Sequence, residues 1–194
     1  GCQVKSLYDT TNQIKNGPDG EWPYAQYTKV DNTPVIQEKP FLTVDESGNY
    51  GVFVPERRKE ASGVSWDDVK GETIGLDKFY VAKPTDSAAK IILTPGIYEI
   101  NEPIVINNEN TVVLGLGYAT LKPTNGNQCM TIGDVKGVKV SGVLFDAGQK
   151  KSETLLTIGT KKTDADNSDN PVCLIDTFYR VGGADNTPCK TTNC

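Results

Sequence analysis

The sequence contains no histidine. That removes the commonest metal ligand and the one side chain that titrates near neutral pH without help. Five cysteines are present but none form a Cys-x-x-Cys pair, so zinc is not expected. No motif requires a metal or a cofactor of any other kind. No apolar run reaches the ~18 residues that a membrane-crossing helix needs. Positive charge is scarce: 20 Lys and Arg face 25 Asp and Glu, for a net charge of -5. Nothing therefore offsets repulsion from a phosphate backbone, which argues against nucleic acid as a partner. Long helical patterns are missing as well. With 19 Gly and 11 Pro in 194 residues, the chain is interrupted too often for long helices. It is still long enough for one domain with a buried core, or one domain with an appendage.

What the sequence does have is a series of short β-rich segments from Ile91 to Thr160. Thr131-Ile132-Gly133 returns as Thr157-Ile158-Gly159, 26 residues later. Ile106 precedes Ile132 by the same interval, and Val112 precedes Val138 by it. Each segment is too short for a helix, and the spacing is too regular for loops. A period of this length built from strands alone predicts stacked coils of a parallel β-helix. Ile106, Ile132 and Ile158 then form one interior ladder at the ~4.8 Å strand spacing. Asn107, Asn108 and Asn110 read as a corner, because Asn tolerates left-handed backbone angles. Val112–Leu116 is apolar at successive positions, as in a strand buried on one side and covered on the other.

The chain before these coils is less regular. Residues 1–40 hold Pro18, Pro23 and Pro34 and read as an irregular wrap. Phe41–Val44 and Tyr50–Val54 flank Asp45-Glu46-Ser47-Gly48-Asn49, a β-hairpin pattern. Thr85 or Asp86 could cap a short helix running to Lys90. The expected division is residues 1–90 as arm, hairpin and cap, and residues 91–194 as coils, the two forming one structural unit.

Several residues are candidates for chemistry. Asp134 and Asp146 each follow a β segment and could lie on one face of neighbouring coils, where two carboxyl groups could act as a glycosidase pair. The alternative is turn chemistry, with each Asp bonded to nearby backbone. Trp22, Tyr24 and Trp66 could stack on sugar rings, or could pin an extended arm to the surface. Cys189 and Cys194 stand five apart in a polar segment and could close a small disulfide loop. Cys129 and Cys173 could bridge two coils, leaving Cys2 over. Asp164, Asp166 and Ser168 have the alternate spacing of a calcium loop, but Asp169 stands where Gly is required and no Glu occupies the twelfth position.

The segments ILTPGIYEINEPI, TVVLGLGYATLKP, VKGVKVSGVLFDAG and FYRVGGA resemble, in order and spacing, the first part of the pectate-lyase-like β-helix family. They are most similar to its β-helical exo-β-1,3-glucanases and to secreted proteins labelled adenylyl cyclase or coagulation-factor-like; α-1,3-glucanases are a looser match. The resemblance covers about residues 40–185. It implies an all-β fold, a right-handed single-stranded parallel β-helix, and a carbohydrate-related role outside the cell. Two departures stand out: the family's longer helix before Ile91 is missing, and family members continue for several hundred residues past FYRVGG. The glucanases carry their carboxylates mostly on later coils.

Three functions follow as expectations. One is a segment of a secreted glucan hydrolase whose catalytic residues lie outside these 194. The second is a structural or self-assembling extracellular β-helix protein, and the third a glycan-binding module. The partners expected are a polysaccharide or cell-wall glycan, together with another chain or further β-helix coils to cover an open end.

Overall fold

The computed structural model describes residues 32–61, 69–81, 90–159 and 166–182. Trp22, Tyr24, Trp66, Cys2, Cys189, Cys194 and the helix start at Thr85 or Asp86 lie outside the described residues. Lys90, the expected end of that helix, already belongs to a strand. The early strands are β1 Thr33–Ile36, β2 Phe41–Val44, β3 Tyr50–Pro55, β4 Arg58–Ala61, β5 Gly71–Gly75 and β6 Tyr80–Val81. The coil strands are β7 Lys90–Leu93, β8 Ile97–Ile100, β9 Ile104–Ile106, β10 Val112–Pro123, β11 Met130–Ile132, β12 Lys139–Asp146, β13 Leu156–Ile158, β14 Cys173–Ile175 and β15 Phe178–Arg180. Among the described residues the only helix is a 3-10 turn at Leu76–Lys78. The protein is all-β, and no described helix is long and apolar enough to cross a membrane.

The chain divides into two compact units. One comprises Gly1–Glu38 and Pro55–Gly71, the other Lys39–Val54 and Glu72–Cys194. In the first, β1 and β4 pair antiparallel, with Thr33 opposite Ala61 and Ile36 opposite Arg58. Arg58 Nη2 meets Glu38 Oε1 at 2.9 Å, and Gln37 Nε2 donates to the Pro55 carbonyl at 2.9 Å.

The second unit opens with the expected hairpin, which pairs Phe41 with Phe53 and Val44 with Tyr50; β5 adds a third strand. Asp45 builds the turn. Its carboxylate accepts from the amides of Ser47 and Asn49 at 2.9 and 2.8 Å and from the Asn49 side chain at 2.9 Å. The Asn49 bonds come first among the causes that hold this carboxyl below its usual range.

The remaining strands stack as parallel coils in two sheets. In the smaller, β9, β11 and β13 align Ile106 with Ile132 and Ile132 with Ile158, the interval read from the repeat. In the larger, β10 spans two successive strand positions, pairing with β7 and then β8 on one side. β12 lies on its other side and is followed by β14 and β15. Here the register departs from the repeat. Val112 faces Lys139, not Val138, because the residues between β11 and β12 number one more than a constant period allows.

Alternation along the strands defines two cores. Ile91, Leu93, Val113, Val140, Val143 and Phe145 point into the coil interior beside Ile106 and Ile132. Ile92, Val112 and Leu114 point outward and form a second cluster with Val52 and Phe79. The consecutive apolar positions of β10 thus have one side in the coils and the other under the hairpin segment. The Asn corner is also present: Asn110 has φ +57°. Its Oδ1 accepts from Asn170 Nδ2 at 3.0 Å, spanning the coil between them, where Gly137 leaves room.

Candidate functional site

A buried carboxylate meets a cation where β12 and β15 end. Parallel register places Phe145 opposite Tyr179 and Asp146 opposite Arg180. The two rings therefore stack, with centroids 5.1 Å apart and planes 10° from parallel. One residue on, Arg180 Nε donates to Asp146 Oδ1 at 3.0 Å and Nη2 to Oδ2 at 2.9 Å. This is a bidentate fork, the geometry that makes an Arg–carboxylate pair directional as well as charged. The Asp146 side chain is 3% exposed and that of Arg180 44%. The carboxylate is buried on one coil and is satisfied by a cation on the next.

Cys129 lies close to this pair. Its thiol is buried, and Sγ donates to the Leu121 carbonyl at 3.5 Å. Burial, and after it the charge of Asp146, push the thiol up to about 12. A group that stays protonated this far above neutrality is not a nucleophile.

The structure does not bring Asp134 and Asp146 onto one sheet. Asp146 ends β12 in the larger sheet. Asp134 stands on an exposed corner after β11 in the smaller sheet. Its Oδ1 lies 3.3 Å from where a Cβ on Gly159 would be, so it hangs over the backbone of the next coil. The expected Cys129–Cys173 bridge is not formed; both are free thiols. Alternation explains this. Cys129 packs in the coil interior. Cys173 is in register with Lys139 and, through it, with Val112, whose side chain points to the outer cluster. In the acidic loop, Asp166 Oδ1 accepts from the Ser168 amide at 2.9 Å, an ordinary Asx turn. Among the described residues no three His, Cys, Asp or Glu side chains gather as a metal site would need.

A second feature escaped the sequence reading. Three successive coils turn between their first two strand positions through a left-handed residue: Tyr118 at φ +62°, Gly142 at +67° and Asp176 at +49°. Lys39 Nζ reaches into this column and binds Asp176 Oδ2 at 3.0 Å. In β12 the corner is the single residue Gly142, between Ser141 and Val143. In β10 the four residues Gly115, Leu116, Gly117 and Tyr118 occupy that place. Tyr118 is 76% exposed. The signal was present in LGLGYAT, where two glycines bracket a corner, but nothing in the sequence distinguished the Tyr from its neighbours.

Parallel strands in register, an interior of stacked aliphatic and aromatic rungs, and Asn and Gly corners define a pectate-lyase-like protein. Residues 77–193 match the LAM55 pectate lyase-like domain, and the chain belongs to that family. An exo-β-1,3-glucanase of Streptomyces sp. (strain SirexAA-E / ActE) is 43% identical over 187 residues, covering 90% of this chain and 31% of the relative. The solved structure of sacteLam55A from Streptomyces sp. SirexAA-E superimposes with a TM-score of 0.75 at 43% identity, over 86% of this chain and 32% of that one. A single-residue variant of sacteLam55A in complex with glucose gives a TM-score of 0.76 at 44% identity. The chain thus spans about a third of the length of the relatives it matches.

Proposed function

We propose that this chain is the right-handed parallel β-helix segment of a secreted β-1,3-glucan hydrolase. In this reading it provides a glucan-facing scaffold, and residues outside these 194 supply the hydrolytic carboxylates. The single observation that carries the reading is the 43% identity to an exo-β-1,3-glucanase across 90% of the chain. The geometry supports the division of labour. Glycosidases hold two carboxyl groups facing each other across the scissile bond, ~5–5.5 Å apart in retaining enzymes and ~6.5–9.5 Å in inverting ones. Asp146 is held by Arg180 within the coil stack, and Asp134 sits at an exposed corner of the other sheet. We assign Asp146 a structural role, positioning β15 on β12.

The last described coil supports the expectation of a covering partner. Val140 and Phe145 are 0% exposed, whereas Leu174 and Tyr179, their register partners on the next rung, are 38% and 50% exposed. Ile132 and Ile158 show the same step, from 0% to 48%. Further coils of the same polypeptide would bury all three columns at once by continuing the parallel register.

The experiment is to incubate the intact natural polypeptide with β-1,3-glucan, β-1,4-glucan and α-1,3-glucan and to quantify released glucose. Release from β-1,3-glucan alone is the expected result. No release from any of the three, with filaments or concentration-dependent oligomers forming instead, would replace this reading with the self-assembling one.

A further inference from the structure

We propose that Tyr118 is a glucan-stacking platform, lifted from the coil surface by the four-residue corner Gly115–Tyr118. The proposal rests on the β-1,3-glucan reading for its ligand class, and on three observations for its site.

The first is strain. Tyr118 has φ +62°, a region that bulky L-residues avoid. The neighbouring coils fill their left-handed corner positions with Gly142 at φ +67° and Asp176 at +49°, so such a position does not require an aromatic side chain. A sparsely populated conformation kept where glycine would serve points to use of the side chain.

The second is construction. The corner of β10 has four residues where that of β12 has one, a bulge of the kind that re-aims a side chain near a functional surface. Both flanks of the corner are fixed. Leu116 packs against the outer core beside Leu114 and Val112. At Gly117, a Cβ would stand 2.8 Å from Pro95 Cγ of the preceding coil, so only glycine lets the backbone come this close. The Tyr118 carbonyl accepts from Thr120 Oγ1 at 3.0 Å.

The third is availability. The ring is 76% exposed, and its hydroxyl makes no hydrogen bond to any described residue. Ile97, 68% exposed, follows the same corner one coil earlier and pairs with Thr120. An aromatic face with a free hydroxyl at its edge, beside an exposed aliphatic side chain, suits a pyranose. The axial C–H groups of glucose lie against the ring, and its hydroxyls meet the phenol.

The test uses the intact natural polypeptide and linear β-1,3-gluco-oligosaccharides, with binding followed by calorimetry and stability by thermal unfolding. Y118F is expected to bind within about threefold of the parent. Y118G and Y118N, which suit the left-handed corner better, are expected to bind at least tenfold more weakly while unfolding at a higher temperature. Unchanged binding in Y118G would overturn the platform and leave the glucan reading standing. A lower unfolding temperature in both Y118G and Y118N would make the tyrosine structural and overturn the proposal. Failure of the parent itself to bind any β-1,3-gluco-oligosaccharide would overturn the glucan reading along with it. Parent binding to a protein partner that Y118G abolishes, with glucan affinity unchanged, would assign the ring to a protein interface instead.

Discussion

At the scale of single residues, Asp146 shows how one side chain serves two coils. It is buried, both its oxygens bond Arg180, and its charge contributes to keeping Cys129 protonated. Asp146→Asn leaves a buried amide where the guanidinium needs a carboxylate. A fully buried pair broken from one side costs ~3–5 kcal/mol and an exposed one ~0–1 kcal/mol. With Arg180 44% exposed, we expect about 2 kcal/mol by chemical denaturation, between those limits. Cys129 gives a pH signature. Its thiol titrates near 9.0 when unfolded and near 12 when folded. Below pH 9 both states hold the proton. Between about 9 and about 12 only the unfolded state releases it, so stability falls as pH rises through this window. The fall should be shallower in Cys129→Ala. Iodoacetamide at pH 8 should leave Cys129 unmodified in the native protein and label it after denaturation, as peptide mass spectrometry would show. The sequence singled out Asp146 and Cys129. It did not reveal their surroundings, because Arg180 lies 34 residues away and meets Asp146 only through the register of β12 and β15. The proposed Cys129–Cys173 bridge failed for a related reason: spacing shows which coils two residues occupy, not whether each side chain points in or out.

At the scale of elements, the repeat was legible because the interior of a coil has only one way to align. Ile106, Ile132 and Ile158 stack as the 26-residue interval required. The larger sheet was not legible to the same precision. Its corners differ in length, with Gly115–Tyr118 against Gly142 alone, and each change shifts the strand that follows. The ladder also predicts a gradient. Ile132 is enclosed between two rungs and 0% exposed, while Ile158 is 48% exposed. Ile132→Ala should cost ~2–5 kcal/mol, as a cavity in a packed core does. Ile158→Ala should cost under ~1.5 kcal/mol, because much of its surface already meets solvent. Urea midpoints of the two variants at constant m-value would show the difference, and equal costs would contradict the ladder as described. The hairpin was read correctly from local chemistry. Asp45, Gly48 and Asn49 build its turn by themselves, with Gly48 at φ +84°, and no distant contact has to be foreseen.

At the scale of the whole molecule, the described coils stack in parallel and hold Asp134 and Asp146 beside different sheets. The all-β class, the parallel stacking and the kinship with β-1,3-glucanases could all be inferred from short segments in order. The site could not, because a β-helix spreads its functional residues over several coils, and their meeting depends on corner lengths that no periodicity records. If the chain is the scaffold of a glucan hydrolase, its own exposed carboxylates should be dispensable for the chemistry. Asp134 is the sharpest case, since it is solvent-facing and its loss should not disturb the core. The most direct measurement is therefore kcat for glucose release from a β-1,3-gluco-oligosaccharide by the intact natural polypeptide, comparing the parent with Asp134→Asn at saturating substrate. The account predicts glucose release by both, with kcat values within about twofold. A loss of ~10²-fold or more in a folded Asp134→Asn variant, the size expected for removal of a general acid or base, would contradict it and place the chemistry on these coils.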